Sequence, residues 1–278
     1  AMAAVAEAAR NLVCVGALPT AITNNLNFGN PLKPHIYFQL REAVLGMRDA
    51  CGAFETPVTG GNVSLFNETD GSAIYPTPVI GMVGVIDDVA KITRHAFQSA
   101  GDDIVLLGTN SGEFGGSEYL YVTADLVAGQ PPSVDLEGER ALQQAVLKMN
   151  HEGVLRSAHD CSEGGLASAL AECALGNGDS PFGVDVQMDE DLRPVIALFG
   201  ESQGRIVVSC SPENTETVLA LAGRYDVAAE RIGSVSEVGS GFSIKVRDGA
   251  VSATVSDVAD AYFRAIPGIM DAPSGSEA

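Results

Sequence analysis

Short apolar runs alternate with glycine- and amide-rich bends along this chain, and longer stretches with apolar residues near helical spacing lie between them. That pattern predicts a layered α/β or α+β fold. Between His35 and Gly52 the apolar Ile36, Phe38, Leu40, Val44, Leu45 and Met47 are interleaved with Arg41, Glu42, Arg48 and Asp49, predicting an amphipathic helix with Pro34 at its entry and Gly52 at its exit. It is flanked by Leu18-Pro-Thr-Ala-Ile-Thr-Asn-Asn-Leu-Asn-Phe-Gly-Asn-Pro31 and Thr56-Pro-Val-Thr-Gly-Gly-Asn-Val-Ser-Leu-Phe-Asn-Glu68, two apolar runs that each open into polar residues. A strand, a helix and a second strand would bring both polar bends to one edge of a sheet, where ligands of layered proteins tend to sit.

The alanine-rich residues 1–9 read as a first helix. After a strand at Val79–Ile86 and the charged stretch Asp87–His95, a fresh strand begins within Gly101–Gly108, which puts a domain boundary near residue 95. The domains expected are 1–94 and 95–266. In the second, the pattern predicts helices at 139–155, 165–175 and 212–224, strands at 157–161, 204–210 and 241–247, and loops at 112–117 and 130–133. Residues 267–278 are expected to be a disordered tail.

Chemistry concentrates in the second bend. Glycine lacks Cβ, tolerates positive φ and lets backbone N–H groups close on a phosphate oxygen, while Asn62, Ser64, Asn67 and Glu68 offer donors and oxygen ligands of the kind Mg²⁺ prefers. The plainer alternative is a glycine turn with a solvated polar edge.

Charge narrows the partners. With 36 acidic against 16 basic residues the net charge is −20, which argues against a nucleic-acid surface. Anion binding would then rest on backbone N–H groups, helix N-termini or Mg²⁺. No apolar run reaches membrane-spanning length without interruption. The five cysteines, Cys14, Cys51, Cys161, Cys173 and Cys210, lack C-x-x-C spacing and suggest reduced thiols in a cytoplasm. Cys161, two residues from His159, is the one candidate nucleophile; packing is the simpler reading. His35, His95, His151 and His159 have no zinc-site spacing.

Three segments carry a family resemblance: Ala21-Ile-Thr-Asn-Asn-Leu-Asn-Phe-Gly-Asn-Pro31, Pro57-Val-Thr-Gly-Gly-Asn-Val-Ser-Leu-Phe-Asn-Glu68 and Pro76-Thr-Pro-Val-Ile-Gly-Met-Val-Gly84. With Gly112-Glu-Phe-Gly-Gly-Ser-Glu-Tyr119, His159-Asp-Cys-Ser-Glu-Gly-Gly165 and Phe199-Gly-Glu-Ser-Gln-Gly-Arg205 they resemble the second half of the small-form phosphoribosylformylglycinamidine synthases of purine biosynthesis. The resemblance covers nearly the whole chain. It implies an aminoimidazole ribonucleotide synthetase-like fold, a truncated N-terminal-type domain followed by a complete C-terminal-type domain, in a chain that looks like a C-terminal fragment.

The activity implied is ATP-dependent amidination of formylglycinamide ribonucleotide with glutamine-derived ammonia, using ATP and Mg²⁺. The implied partners are the missing first half, a glutaminase subunit and a small bridging subunit. By position, Gly61 matches an ATP contact, Asn62 a Mg²⁺ ligand and Ser64 a substrate contact. Asn24 stands where family members usually carry an ATP-contacting aspartate, keeping an oxygen acceptor without the full charge. No catalytic residue is expected in this chain, and alone it is expected to be inactive.

Asp160, Ser162, Glu163 and Glu201 form a candidate pseudo-site, where helix capping by Ser162 and an ion pair between Glu201 and Arg205 are the structural alternatives. Two other readings of the whole chain are a silent nucleotide-holding scaffold and another ATP-dependent member of the same superfamily.

Overall fold

The computed structural model describes residues 1–270. Helix α1 (Met2–Cys14) precedes strand β1 (Leu18–Asn27), helix α2 (Pro34–Phe54), strand β2 (Val58–Ser64), the short hairpin β3 (Glu68–Thr69) and β4 (Ser72–Ala73), and strand β5 (Thr77–Val85). β1 lies at the centre of a three-stranded sheet, parallel to β2 and antiparallel to β5. One face is covered: Val5 of α1, Ile36, Met47 and Ala50 of α2, and Ile22 and Leu26 of β1 form a buried core. The other face is open, leaving Leu18, Val79, Val83 and Val85 exposed, and every residue of β2 except Ser64 is exposed.

The second part contains β6 (Asp103–Leu107), α3 (Glu118–Ala124), α4 (Leu136–Glu152), β7 (Ser157–Asp160), α5 (Gly165–Leu175), β8 (Phe182–Gln187), α6 (Pro194–Phe199), β9 (Ile206–Cys210), α7 (Thr215–Arg224), β10 (Ala229–Val238), β11 (Gly241–Val246), β12 (Gly249–Thr254) and α8 (Val255–Met270). Seven strands form one mixed sheet in the order β12-β11-β8-β10-β6-β9-β7. Its central strands are apolar at successive positions because both faces are buried. In β6, Ile104 and Leu106 enter the core beneath α5 and α6, whereas Val105 and Leu107 enter the core beneath α4 and α7.

Helix α1 joins the two parts. Its Val13 and Cys14 belong to the α4–α7 core, and Val13 carbonyl accepts a 2.8 Å hydrogen bond from Asn150. Deeper in the same contact, the fully buried Arg10 guanidinium donates to Glu139 of α4, donates to Gln203 at 3.1 Å and stands 3.7 Å from the Asp160 carboxylate of β7. Burial raises the pKa of both Glu139 and Asp160, and the Arg10 charge opposes that rise.

Several sequence expectations need correction. Helix α2 does not leave at Gly52; it runs to Phe54 and closes on Glu55 in the left-handed region (φ 58°), because Cys51 and Phe54 still pack on the small-sheet core. Helix α4 occupies 136–152, displaced from 139–155, since the Asp135 side chain caps its start and Gly153 (φ 69°) ends it. The segment from Pro212 begins as a 3₁₀ turn before α7. Part of the expected tail is ordered: α8 continues through Pro267, whose missing N–H removes one helical bond, to Met270. Residues 271–278 of that expectation lie outside the described residues.

Candidate functional site at the β1–β2 edge

The residues expected in two bends sit mostly on two adjacent strands. Register pairs Asn24 with Gly61, Asn25 with Asn62 and Asn27 with Ser64. Strand alternation therefore divides the set between the two faces. Asn24 is on the helix-covered side, where its Nδ2 is 4.0 Å from Met47 Sδ. Asn25 and Asn62 share the open side, with Asn62 Nδ2 donating to Asn25 Oδ1 at 3.0 Å.

Gly61 is a glycine for a different reason from the one its sequence context implies. It is a strand residue without positive φ; what it supplies is close approach, since a Cβ there would fall 2.2 Å from Asn24 Oδ1. Gly60 has open space where its Cβ would stand. Together they leave exposed strand backbone unshielded by side chains.

Beyond Ser64 the chain is pinned. Asn67 Nδ2 donates to Phe28 carbonyl at 3.1 Å and to Ser64 carbonyl at 3.0 Å, and Phe66 N–H donates to Gly29 carbonyl at 3.1 Å from a left-handed conformation (φ 62°). The ends of β1 and β2 are thus one rigid lip. Glu68, an expected oxygen donor, is paired with Lys33 at 2.6 Å, and that hydrogen bond holds its carboxyl below the usual range. Asn67 is likewise spent on structure.

Among the described residues no group of three His, Cys, Asp or Glu side chains is arranged to hold a metal ion. Asn62 Oδ1 accepts no hydrogen bond there and is exposed. The chain therefore fits one neutral oxygen ligand to Mg²⁺, with the remaining ligands coming from phosphate, water or another polypeptide. The bare Gly60–Gly61 backbone fits a phosphate-bearing ligand.

The second cluster is scattered by its internal partners. Asp160 is buried against Arg10. Glu201 Oε1 accepts backbone N–H bonds from Glu118 at 2.8 Å and Gly164 at 2.9 Å. Ser162 does not cap α5; the cap is Gly164 (φ 74°), and Ser162 contributes only a carbonyl to Gly165 N–H. Glu163 is exposed. The Glu201–Arg205 ion pair weighed as the structural alternative does not form: Arg205 is fully buried and donates to the carbonyls of Gly200 (2.5 Å) and Ser202 (3.1 Å). Cys161 is fully buried, and its thiol is pushed up to about 11 by that burial, which removes it as a nucleophile. The Arg10–Glu139–Gln203 network has no sequence signal, because an arginine on a helix ordinarily reads as a solvated position.

Comparison with known proteins agrees with this layout. Residues 1–86 match the family model "AIR synthase related protein, N-terminal domain" and residues 99–245 match "AIR synthase related protein, C-terminal domain". The chain belongs to the AIR synthase related proteins. More particularly, it is similar to phosphoribosylformylglycinamidine synthase subunit PurL: 53% identical over 230 residues to that of Moorella thermoacetica (83% of this chain, 31% of the relative), and 46% identical over 274 residues to that of an Anaeromyxobacter species (96% and 35%). The chain thus spans about a third of the length of these relatives. Among solved structures, Thermotoga maritima PurL complexed with FGAR superposes with a TM-score of 0.71 at 22% identity (93% of this chain, 43% of that one). The HypE–HypF complex gives 0.63 at 18% (91% and 82%). At those identities the structural likeness shows the fold alone.

Proposed function

We propose that this chain is the second-repeat half of an ATP-dependent C–N ligase that converts formylglycinamide ribonucleotide to formylglycinamidine ribonucleotide with glutamine-derived ammonia. The observation that carries the reading is the unshielded Gly60–Gly61 backbone beside the free Asn62 oxygen, on a lip tied rigidly to Ser64. Two resemblances support it: PurL relatives at about half identity, and Thermotoga maritima PurL structures described as complexed with ATP and with FGAR.

In this reading Gly61 backbone and Asn24 contact ATP, Asn62 ligates Mg²⁺, and Ser64 touches the ribonucleotide. Bound ATP activates the formyl-amide oxygen while Mg²⁺ steadies phosphoryl charge. The chain's own contribution is to hold amide oxygens and bare backbone at fixed positions. The first half of the synthetase covers the open face bearing Leu18, Val79, Val83 and Val85, an apolar patch that calls for a partner. A glutaminase subunit and a small bridging subunit complete the assembly, in the cytoplasm. The units divide at residues 94 and 95. Asp160, Ser162, Glu163 and Glu201 are the pseudo-site of this reading, where the internal partners of Asp160 and Glu201 favour a structural role.

The test is ammonia- and ATP-dependent formylglycinamidine formation by the complete subunit. Asn62→Ala should lower kcat/KM roughly 10–100-fold, the size seen on weakening a metal's surroundings. Asn24→Asp should tighten Mg²⁺-ATP. Unchanged kinetics in both variants would remove the lip from the reaction.

A further inference from the structure

An open cavity of about 440 Å³ lies between α5, β7 and α8, lined by His95, His159, Glu172, Gly176, Tyr262 and Phe263 among others. None of these belongs to the β1–β2 lip. The volume falls in the range of roughly 300–1,000 Å³ typical of small-molecule sites.

Its polar groups are few and specific. His159 Nε2 and Glu172 Oε2 are 2.7 Å apart, which fixes the carboxylate and leaves Glu172 Oε1 without a hydrogen-bond partner among the described residues. The His95 ring stands 5.6 Å from that of His159 and makes no hydrogen bond among the described residues. It lies against the end of α5, where a Cβ on Gly176 would come within 2.7 Å of His95 Nε2. Burial and the neighbouring His159 hold the His95 pKa below its ordinary value, against the pull of Glu172. Near neutral pH that imidazole presents one donor and one acceptor. Among the described residues no lysine or arginine lines the cavity. A phosphate or carboxylate would meet Glu172 without a counter-charge.

The walls are aromatic. Tyr262 and Phe263 pack edge to face, centroids 5.2 Å apart at 88°, and both remain about half exposed, so their ring surface is available to a planar molecule.

We propose that this cavity binds an uncharged, planar, N–H-bearing heterocycle of nucleobase size. A ring N–H or exocyclic amine donates to Glu172, the ring edge meets His95, and one of the two perpendicular aromatic rings stacks on its face while the other meets its rim. The site is independent of the lip and of the synthetase reading.

The chain contains no tryptophan, so fluorescence anisotropy of 2-aminopurine, excited beyond the tyrosine band, reports binding directly. A saturable rise is expected. Adenine should displace the probe, whereas benzoate and Mg²⁺-ATP should not. Glu172→Gln and Phe263→Ala, on different helices and checked for native circular dichroism, should each weaken binding by about tenfold. No saturable signal up to millimolar probe, equal binding by both folded variants, or displacement by benzoate or Mg²⁺-ATP would each overturn the proposal.

Discussion

Gly61 faces Asn24 across the parallel β1–β2 pair so closely that a Cβ would also lie 2.6 Å from the Asn24 carbonyl oxygen. Neither obstructing atom sits at the end of a flexible chain: one is main chain, the other a short amide held between strand and α2. Gly61→Ala therefore has to spread the strands or displace Asn24. The expected cost is about 1–3 kcal/mol in urea unfolding, as for overpacked interiors, together with weaker nucleotide binding by the complete subunit. Gly60→Ala, with open space at its Cβ, should cost measurably less.

Arg10 is the buried cation between α1, α4 and β7. Arg10→Met strands Glu139 and Asp160 without a counter-charge, and a loss of about 3–5 kcal/mol is expected in chemical denaturation. Adding Glu139→Leu should restore part of that loss, because removing a stranded charge helps where removing a paired one harms. If the double variant is less stable than Arg10→Met, the pair is not the source of the effect.

The same carboxylates set a pH dependence. Burial raises Glu139 above its ordinary 4.5 in the folded state, so near and above that value the folded chain holds a proton that the unfolded chain releases. That contribution is fully present below 4.5 and is lost as pH rises through the folded pKa. Glu139→Gln should flatten the fall in unfolding free energy between pH 4.5 and neutrality relative to the parent. A parallel pair of stability curves would contradict the assignment.

Thiol accessibility provides a readout of the core. Cys14, Cys161, Cys173 and Cys210 are buried and Cys51 is partly exposed. Iodoacetamide in native buffer should label Cys51 first, with the other four modified only after denaturant, as peptide mass spectrometry would show. Rapid native labelling of Cys161 would contradict its place in the interior.

The local elements were legible in sequence wherever periodicity was strong. The α5 helix occupies the predicted 165–175, β6 falls within 101–108, and α2 starts at the proline expected to open it. Motif spacing also carried the family resemblance, which the matches to AIR synthase related domains support. Helix ends were less legible. Gly52 carries a stop signal, but the packing of Phe54 two residues later outweighs it.

What the amino-acid order alone determined was which residue types stand where: glycines and amides at the ends of two apolar runs, and a large excess of negative charge. Only the tertiary structure decided that Asn24 and Asn62 lie on opposite faces of one sheet, that Gly61 is required for interstrand approach, and that Arg10 meets Glu139, which is 129 residues away in the chain. Register, close approach and buried charge pairing arise from contacts between distant segments, and local propensity carries no term for them.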